Sequence, residues 1–257
     1  MPRQTGKSLT AAAKALLTAL TRPKSLSVII SRSQNQAAEV LLKVKILYNA
    51  YADLRRERLR LPAWRPTPLG RIPDDSDELG VEVIGELDDF AVSVRDNVLR
   101  KEFSNGSRIV TMACKGETSV GSTTDLLILD EAARMPDPVY YSVRPTLAIA
   151  QSKGRGELLC LSTPFGKRGW FWDAWKGCEE AELSGKTPAW SRTTIAVEQC
   201  PRITAEFLDQ EREAMGDHWY EQEYMCRFRE AVDAVFRESD ISRATSNTVP
   251  GRLFAEV

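Results

Sequence analysis

Runs of consecutive apolar residues alternate along this chain with stretches in which apolar residues return every three or four positions. Ser25–Ile30 (SLSVII), Leu126–Leu129 inside DLLILDEA, and the apolar part of ELLCLSTP at 157–164 are short, uninterrupted and rich in branched side chains. Such runs predict strands buried on both faces. Leu9–Leu20 is an Ala/Leu-rich helix, and Gln34 to about Arg60 is a long amphipathic one, with Val40, Leu41, Val44, Ile46, Leu47 and Tyr51 mostly on one side. VEVIGE, FAVSV and FSNGSRIVTM alternate apolar with polar residues, and Asn105-Gly106 is a strong hairpin signal. They predict antiparallel strands added at a sheet edge. A polar helix follows from about Pro138 to Ala150. Strands alternating with helices predict an α/β fold with a mainly parallel central sheet and function at the strands' carboxyl ends.

From about Thr187 the pattern changes. RTTIAV, ending at Val197, predicts one more strand, and ITAEFLDQEREAMGDHWYEQEYMCRF predicts two helices broken at Gly216. The expected organisation is a core over 1–186, a small helical subdomain over 187–232, and a polar linker over 233–257.

Composition narrows the function classes. The 257 residues carry 35 Lys+Arg against 36 Asp+Glu, a formal charge of -1, so a polyanion must be met by local patches rather than by bulk charge. The five cysteines are scattered and form no C-x-x-C pair, which predicts neither a zinc site nor a disulfide framework and fits a reducing cytoplasm. No apolar run is long enough to span a bilayer, so no membrane partner is expected.

Chemistry concentrates in three places. Gly6-Lys7-Ser8 before the first helix is the end of a Walker A segment, in which backbone N–H groups and a lysine wrap phosphates. Leu126–Leu129 delivers Asp130 and Glu131 at a strand's end. An aspartate there holds Mg²⁺ while the Ser8 hydroxyl binds the same ion, and Glu131 orients the attacking water as general base. Asp-Glu by itself is equally an ordinary helix start, where acidic residues complement the dipole. Ser162-Thr163-Pro164 ends another apolar strand, where hydroxyls touch the catalytic water or γ-phosphate; a plain turn accounts for the tripeptide equally well in isolation. Arg55, Arg56, Arg58 and Arg60, with Lys167 and Arg168, are candidate phosphate contacts, although a solvated helix face explains the first four as well. His218, between Gly216 and Trp219-Tyr220, and Trp170, Trp172 and Trp175 are read as packing residues.

PRQTGKS at 2–8, NGSRI at 105–109, DLLILDEAARMPD at 125–137, RPTLA at 144–148, LLCLSTPFGKRGWFW at 158–172 and EREAMGDHWYEQEYMCRF at 211–228 together resemble the ATPase domain of the large terminase subunit of tailed bacteriophages. The resemblance spans nearly the whole chain. It implies a P-loop NTPase of the additional-strand class with a helical lid, hydrolysing ATP with Mg²⁺ to drive duplex DNA into a procapsid in the host cytoplasm. It implies that Gln4, Thr5, Gly6, Lys7 and Ser8 bind ATP, that Ser8 and Asp130 hold the metal, and that Glu131 activates water. It further implies that Arg3 stabilises the γ-phosphate and that Ser162 and Thr163 form the element coupling hydrolysis to DNA movement. Portal protein, small terminase subunit and further copies in a ring are the implied partners.

Two departures from that pattern are expected to matter. The strand that normally leads into the phosphate loop, and a downstream nuclease with its carboxylate cluster, are not in this sequence, so DNA cleavage is not expected of it. A phosphate-loop strand flanked on both sides leaves two neighbours with unpaired backbone when it is lost, which predicts low stability. A prophage remnant that keeps the fold without turnover, and a fragment of a helicase-like P-loop motor, are the competing readings.

Overall fold

A computed structural model describes residues 2, 5–59, 92–114, 121–230 and 244. The described residues fall into two compact units, 3–162 and 163–257, the latter joined by residues 1–2. VEVIGE, Arg60, Arg3 and Gln4, and all of the 233–257 tail except Ala244, lie outside the described residues.

The first unit is built on a six-stranded sheet in the order β2-β3-β4-β1-β5-β6. Its strands are β1 (Leu26–Ser31), β2 (Ser93–Asp96), β3 (Arg100–Phe103), β4 (Arg108–Ala113), β5 (Leu126–Asp130) and β6 (Glu157–Leu161). β1 runs parallel to both β4 and β5, and β5 parallel to β6. Every residue of β1 and β5 is buried, which is why their sequences are continuous rather than alternating. Leu126 to Leu129 are all at 0% exposure; fully burying such side chains stabilises by roughly 1.5–3 kcal/mol each.

β2 and β3 add antiparallel at the β4 edge, as the alternating pattern predicts. Asn105-Gly106 makes the β3–β4 turn: Gly106 sits at φ 79°, and the Asn105 carboxamide accepts from Ser107 N–H at 3.0 Å. An L side chain at φ 79° is strained, so glycine is the residue this turn needs.

Helices α1 (Lys7–Thr21) and α2 (Gln34–Leu59) flank the sheet. Ala11, Ala12, Ala15 and Ala19 of α1 are fully buried, so the helix backbone approaches its neighbours closely. The expected single helix over 138–150 is instead α3 (Asp137–Val143), a 3₁₀ turn (Arg144–Leu147) and α4 (Ala148–Ser152). Pro145 inside it lacks the N–H an α-helix interior requires, which breaks the run.

β6 closes the sheet on one side. Its Glu157 N–H donates to Asp125 C=O at 2.8 Å, so alternation turns the N–H and C=O of Leu158 and Cys160 away from β5. Those groups have no partner among the described residues. Two strands with unpaired backbone are expected; among the described residues β6 is the strand at this side of the sheet without a second partner. Residues 192–196 of RTTIAV have no regular secondary structure and Val197 opens a 3₁₀ turn (Val197–Gln199), so the segment joins no sheet.

In the second unit that segment is held by side chains instead. Arg192 pairs with Glu179 and Glu182 of α5 (Gly169–Leu183) and lies 4.7 Å from the Trp175 ring, while Val197 N–H donates to Tyr224 C=O at 3.1 Å. Phe228 packs against Phe171, Trp172 and Trp175 with centroids 6.1, 4.8 and 5.7 Å away. The tryptophans at 172 and 175 are thus packing residues. α6 (Ala205–Glu223) is interrupted at Gly216, whose φ 75° and ψ 162° divide it into the two helices expected. His218 lies edge-on to Trp219.

Candidate active site

The carboxyl ends of β1, β4 and β5 and the start of α1 meet at one end of the sheet in the first unit. Gly6 precedes α1 in the left-handed region at φ 102°, with open space where a Cβ would stand. Lys7 is the helix's first residue and is only 8% exposed, while Ser8 is half-buried with no hydrogen-bond partner among the described residues. Thr10 N–H bonds back to Gly6 C=O at 2.9 Å, fixing the loop to the first turn.

Lys7 Nζ stands 3.1 Å from Glu131 Oε1. The approach is an ion pair without hydrogen-bond geometry, and Nζ is a buried donor with no hydrogen-bond acceptor. Asp130, 5% exposed at the tip of β5, likewise has its Oδ1 buried and unpartnered. Burial, followed by the charge of Glu131, raises the Asp130 carboxyl above its ordinary value, and Lys7 offsets part of that. A buried carboxylate oxygen without a partner costs about 1–3 kcal/mol unless something else meets it, whereas the ammonium keeps the charge of Glu131 and lacks only a hydrogen bond.

Glu131 adopts φ 58°, ψ 42°, a left-handed conformation uncommon outside glycine. It opens a 3₁₀ turn, Ala132–Arg134, but its own side chain does not cap that turn. Arg134 N–H donates to Glu131 C=O at 2.9 Å, and Ala133 N–H donates to the hydroxyl of Ser162, just beyond β6, at 3.1 Å. Ser162 is thereby joined to the Asp130-Glu131 turn. Thr163, buried, begins the second unit, and Arg3 and Gln4 lie outside the described residues.

A cleft of about 260 Å³ opens beside Asp130 and Glu131, lined also by Arg32, Cys114 and Arg134. Sequence reading passed over Arg32 although a signal was there: it directly follows β1, at the end of a parallel strand where function gathers.

The residues fit a phosphate and a divalent cation. Lys7 offers an unbonded cationic donor, and Asp130 Oδ1 and Ser8 Oγ offer hard oxygens suited to Mg²⁺, which is usually held by one or two protein oxygens together with substrate phosphates. Among the described residues no group of three or more His, Cys, Asp or Glu could hold a metal without such help.

The family model described as terminase large subunit, T4likevirus-type, N-terminal, matches residues 1–243. The chain belongs to this terminase family. Its fold is similar to the large terminase ATPase domain of Thermus phage P74-26, at 23% identity and TM-score 0.57, over 89% of this chain and 86% of that one. It is also similar to a large terminase from a thermophilic bacteriophage solved in complex with ADP, at 10% identity and TM-score 0.56, over 88% of this chain and 46% of that one. The HK97 bacteriophage large terminase matches at 14% identity and TM-score 0.51, over 89% of this chain and 45% of that one. A search of curated proteins finds no match. At these identities the solved structures establish the terminase fold, a mixed α/β architecture with a mostly parallel sheet. No helix among the described residues is long and apolar enough to cross a membrane.

Proposed function

We propose that this terminase chain binds and hydrolyses ATP with Mg²⁺ and couples hydrolysis to movement of duplex DNA during phage packaging. The observation that carries the reading is the pair of buried polar atoms without a hydrogen bond, Lys7 Nζ and Asp130 Oδ1, the lysine being held only by its ion pair with Glu131 at 3.1 Å. Folding tolerates such atoms where a ligand completes them. A nucleoside triphosphate with its cation supplies what each lacks.

In this reading Lys7 binds the β- and γ-phosphate oxygens, with Thr5, Gly6 and the start of α1 presenting backbone N–H groups to them. Ser8 and Asp130 are the residues that hold Mg²⁺, which supplies charge neutralisation on the phosphates. Glu131 orients a water and takes its proton at the carboxylate. Arg3 and Gln4 are assigned to the same loop. Ser162 and Thr163 are assigned the coupling role, and the segment 187–232 the lid. Portal protein, small terminase subunit and a ring of copies are the proposed partners. The ADP complex of a structural relative supports the nucleotide class.

The test is Mg²⁺-dependent phosphate release by the purified chain, with Glu131→Gln beside it. Turnover that disappears in the variant is the expected result. Nucleotide binding without turnover in the parent would favour a chain that keeps the fold but has lost catalysis.

A further inference from the structure

The turn that carries Glu131 is capped from elsewhere. Glu131 occupies the N-cap position of the 3₁₀ turn Ala132–Arg134, where a short polar side chain such as Ser or Asp ordinarily accepts a hydrogen bond from the second or third N–H of the turn. Here the turn's second N–H, that of Ala133, donates at 3.1 Å to the hydroxyl of Ser162, which reaches over from the end of the neighbouring strand β6. Ser162 is 8% exposed and Ala133 is half-buried, so the bond is partly shielded from water. The Glu131 side chain makes no cap bond and instead lies 3.1 Å from Lys7.

We infer that Ser162 is a positioning residue for Glu131: by occupying Ala133 N–H it keeps the Glu131 carboxylate from capping its own turn and leaves it facing the Lys7 side of the site. The inference rests on the reading of Glu131 as the water-orienting base, and adds a duty distinct from coupling hydrolysis to DNA. The left-handed backbone at Glu131 sharpens the argument. A residue at φ 58° is held there by its surroundings, and the bonds around this one include Arg134 N–H to Glu131 C=O, Ala133 N–H to Ser162 Oγ and Glu131 N–H to the Asp130 carboxylate. Removing the hydroxyl leaves the half-buried Ala133 N–H without that acceptor, beside a flexible carboxylate free to take its place. The base is then drawn onto its own backbone, away from the water, while Lys7 loses its competitor for phosphate.

The effect to look for is therefore divided between turnover and binding. Ser162→Ala should lower kcat by about ten- to a hundredfold, in the range seen when a catalytic group is displaced by about 1 Å, while the affinity for a non-hydrolysable ATP analogue stays the same or rises. Ser162→Thr, which keeps the hydroxyl, should recover most of the turnover. Should the alanine variant fold poorly, Ser162→Thr against Ser162→Val makes the same comparison at matched shape. Turnover in Ser162→Ala within twofold of the parent overturns the inference. So does a loss of turnover matched by an equal loss of nucleotide affinity, or a threonine variant no better than the one lacking the hydroxyl. In all three cases the parent still hydrolyses ATP in a Glu131-dependent way, so the ATPase reading survives. A parent without that activity overturns the ATPase reading first and this inference with it.

Discussion

Lys7 Nζ lies 3.1 Å from Glu131 Oε1, so the group proposed to bind phosphate and the group proposed to activate water neutralise each other. The two duties exclude this contact, since a phosphate on Lys7 releases Glu131. Glu131→Gln should thus do more than stop turnover. Without its partner the buried Lys7 is uncompensated, which lowers the melting temperature of the nucleotide-free chain, at a cost of about 1–3 kcal/mol. Phosphates no longer compete with a carboxylate for the lysine. Affinity for a non-hydrolysable ATP analogue should rise by roughly three- to tenfold, the equivalent of about 1 kcal/mol. Calorimetric titration of parent and variant checks this, and equal or weaker binding by the variant would count against the competition.

Asp130 gives a stability effect with a definite sign. Its carboxyl is raised in the folded chain by burial and by Glu131, so the protonated form favours folding. That contribution is present in full below the ordinary aspartate value and is lost as pH rises through the raised one. Asp130→Asn removes the ionisation and should gain on the parent in urea midpoint as pH increases across the acidic range. It should also lose Mg²⁺-dependent turnover. A constant difference between the two chains across that range would contradict the assignment.

Phe228, which follows α6 in the second unit, packs on α5 through Phe171, Trp172 and Trp175. Phe228→Ala should destabilise that unit by about 2–4 kcal/mol, from lost burial and lost ring contacts. The change should appear in tryptophan fluorescence during denaturant unfolding, because Trp172 and Trp175 report on the same cluster. An unchanged midpoint would mean that the cluster is dispensable.

The side of β6 away from β5 has no strand partner among the described residues, which predicts self-association of this chain. An apolar strand with outward N–H and C=O groups at Leu158 and Cys160, and no proline or lysine to blunt it, is a template for another strand. Leu158→Pro removes an outward donor without touching the β5–β6 ladder. It should reduce the light scattering of the concentrated chain, whereas unchanged scattering would place the association elsewhere.

Much of this architecture was legible in the chain. Uninterrupted apolar runs became β1 and β5 because a parallel strand covered on both faces has no polar side to show, and a third became β6, half-buried at the sheet's edge. Asn105-Gly106 became a hairpin because the turn requires a positive φ that glycine supplies. Gly216 divided α6 for the same local reason. These outcomes depend on a few adjacent residues, so sequence alone determined them, together with the presence of Lys7, Asp130 and Glu131 at the ends of the right elements. Tertiary structure decided what depends on distant neighbours. RTTIAV had the composition of a strand but found ion pairs and a backbone acceptor in helices instead of a sheet partner. The 3.1 Å contacts from Lys7 to Glu131 and from Ala133 to Ser162 join residues far apart in the chain. No local pattern encodes such contacts, because strand order, not sequence order, sets which polar groups are buried together and must satisfy one another.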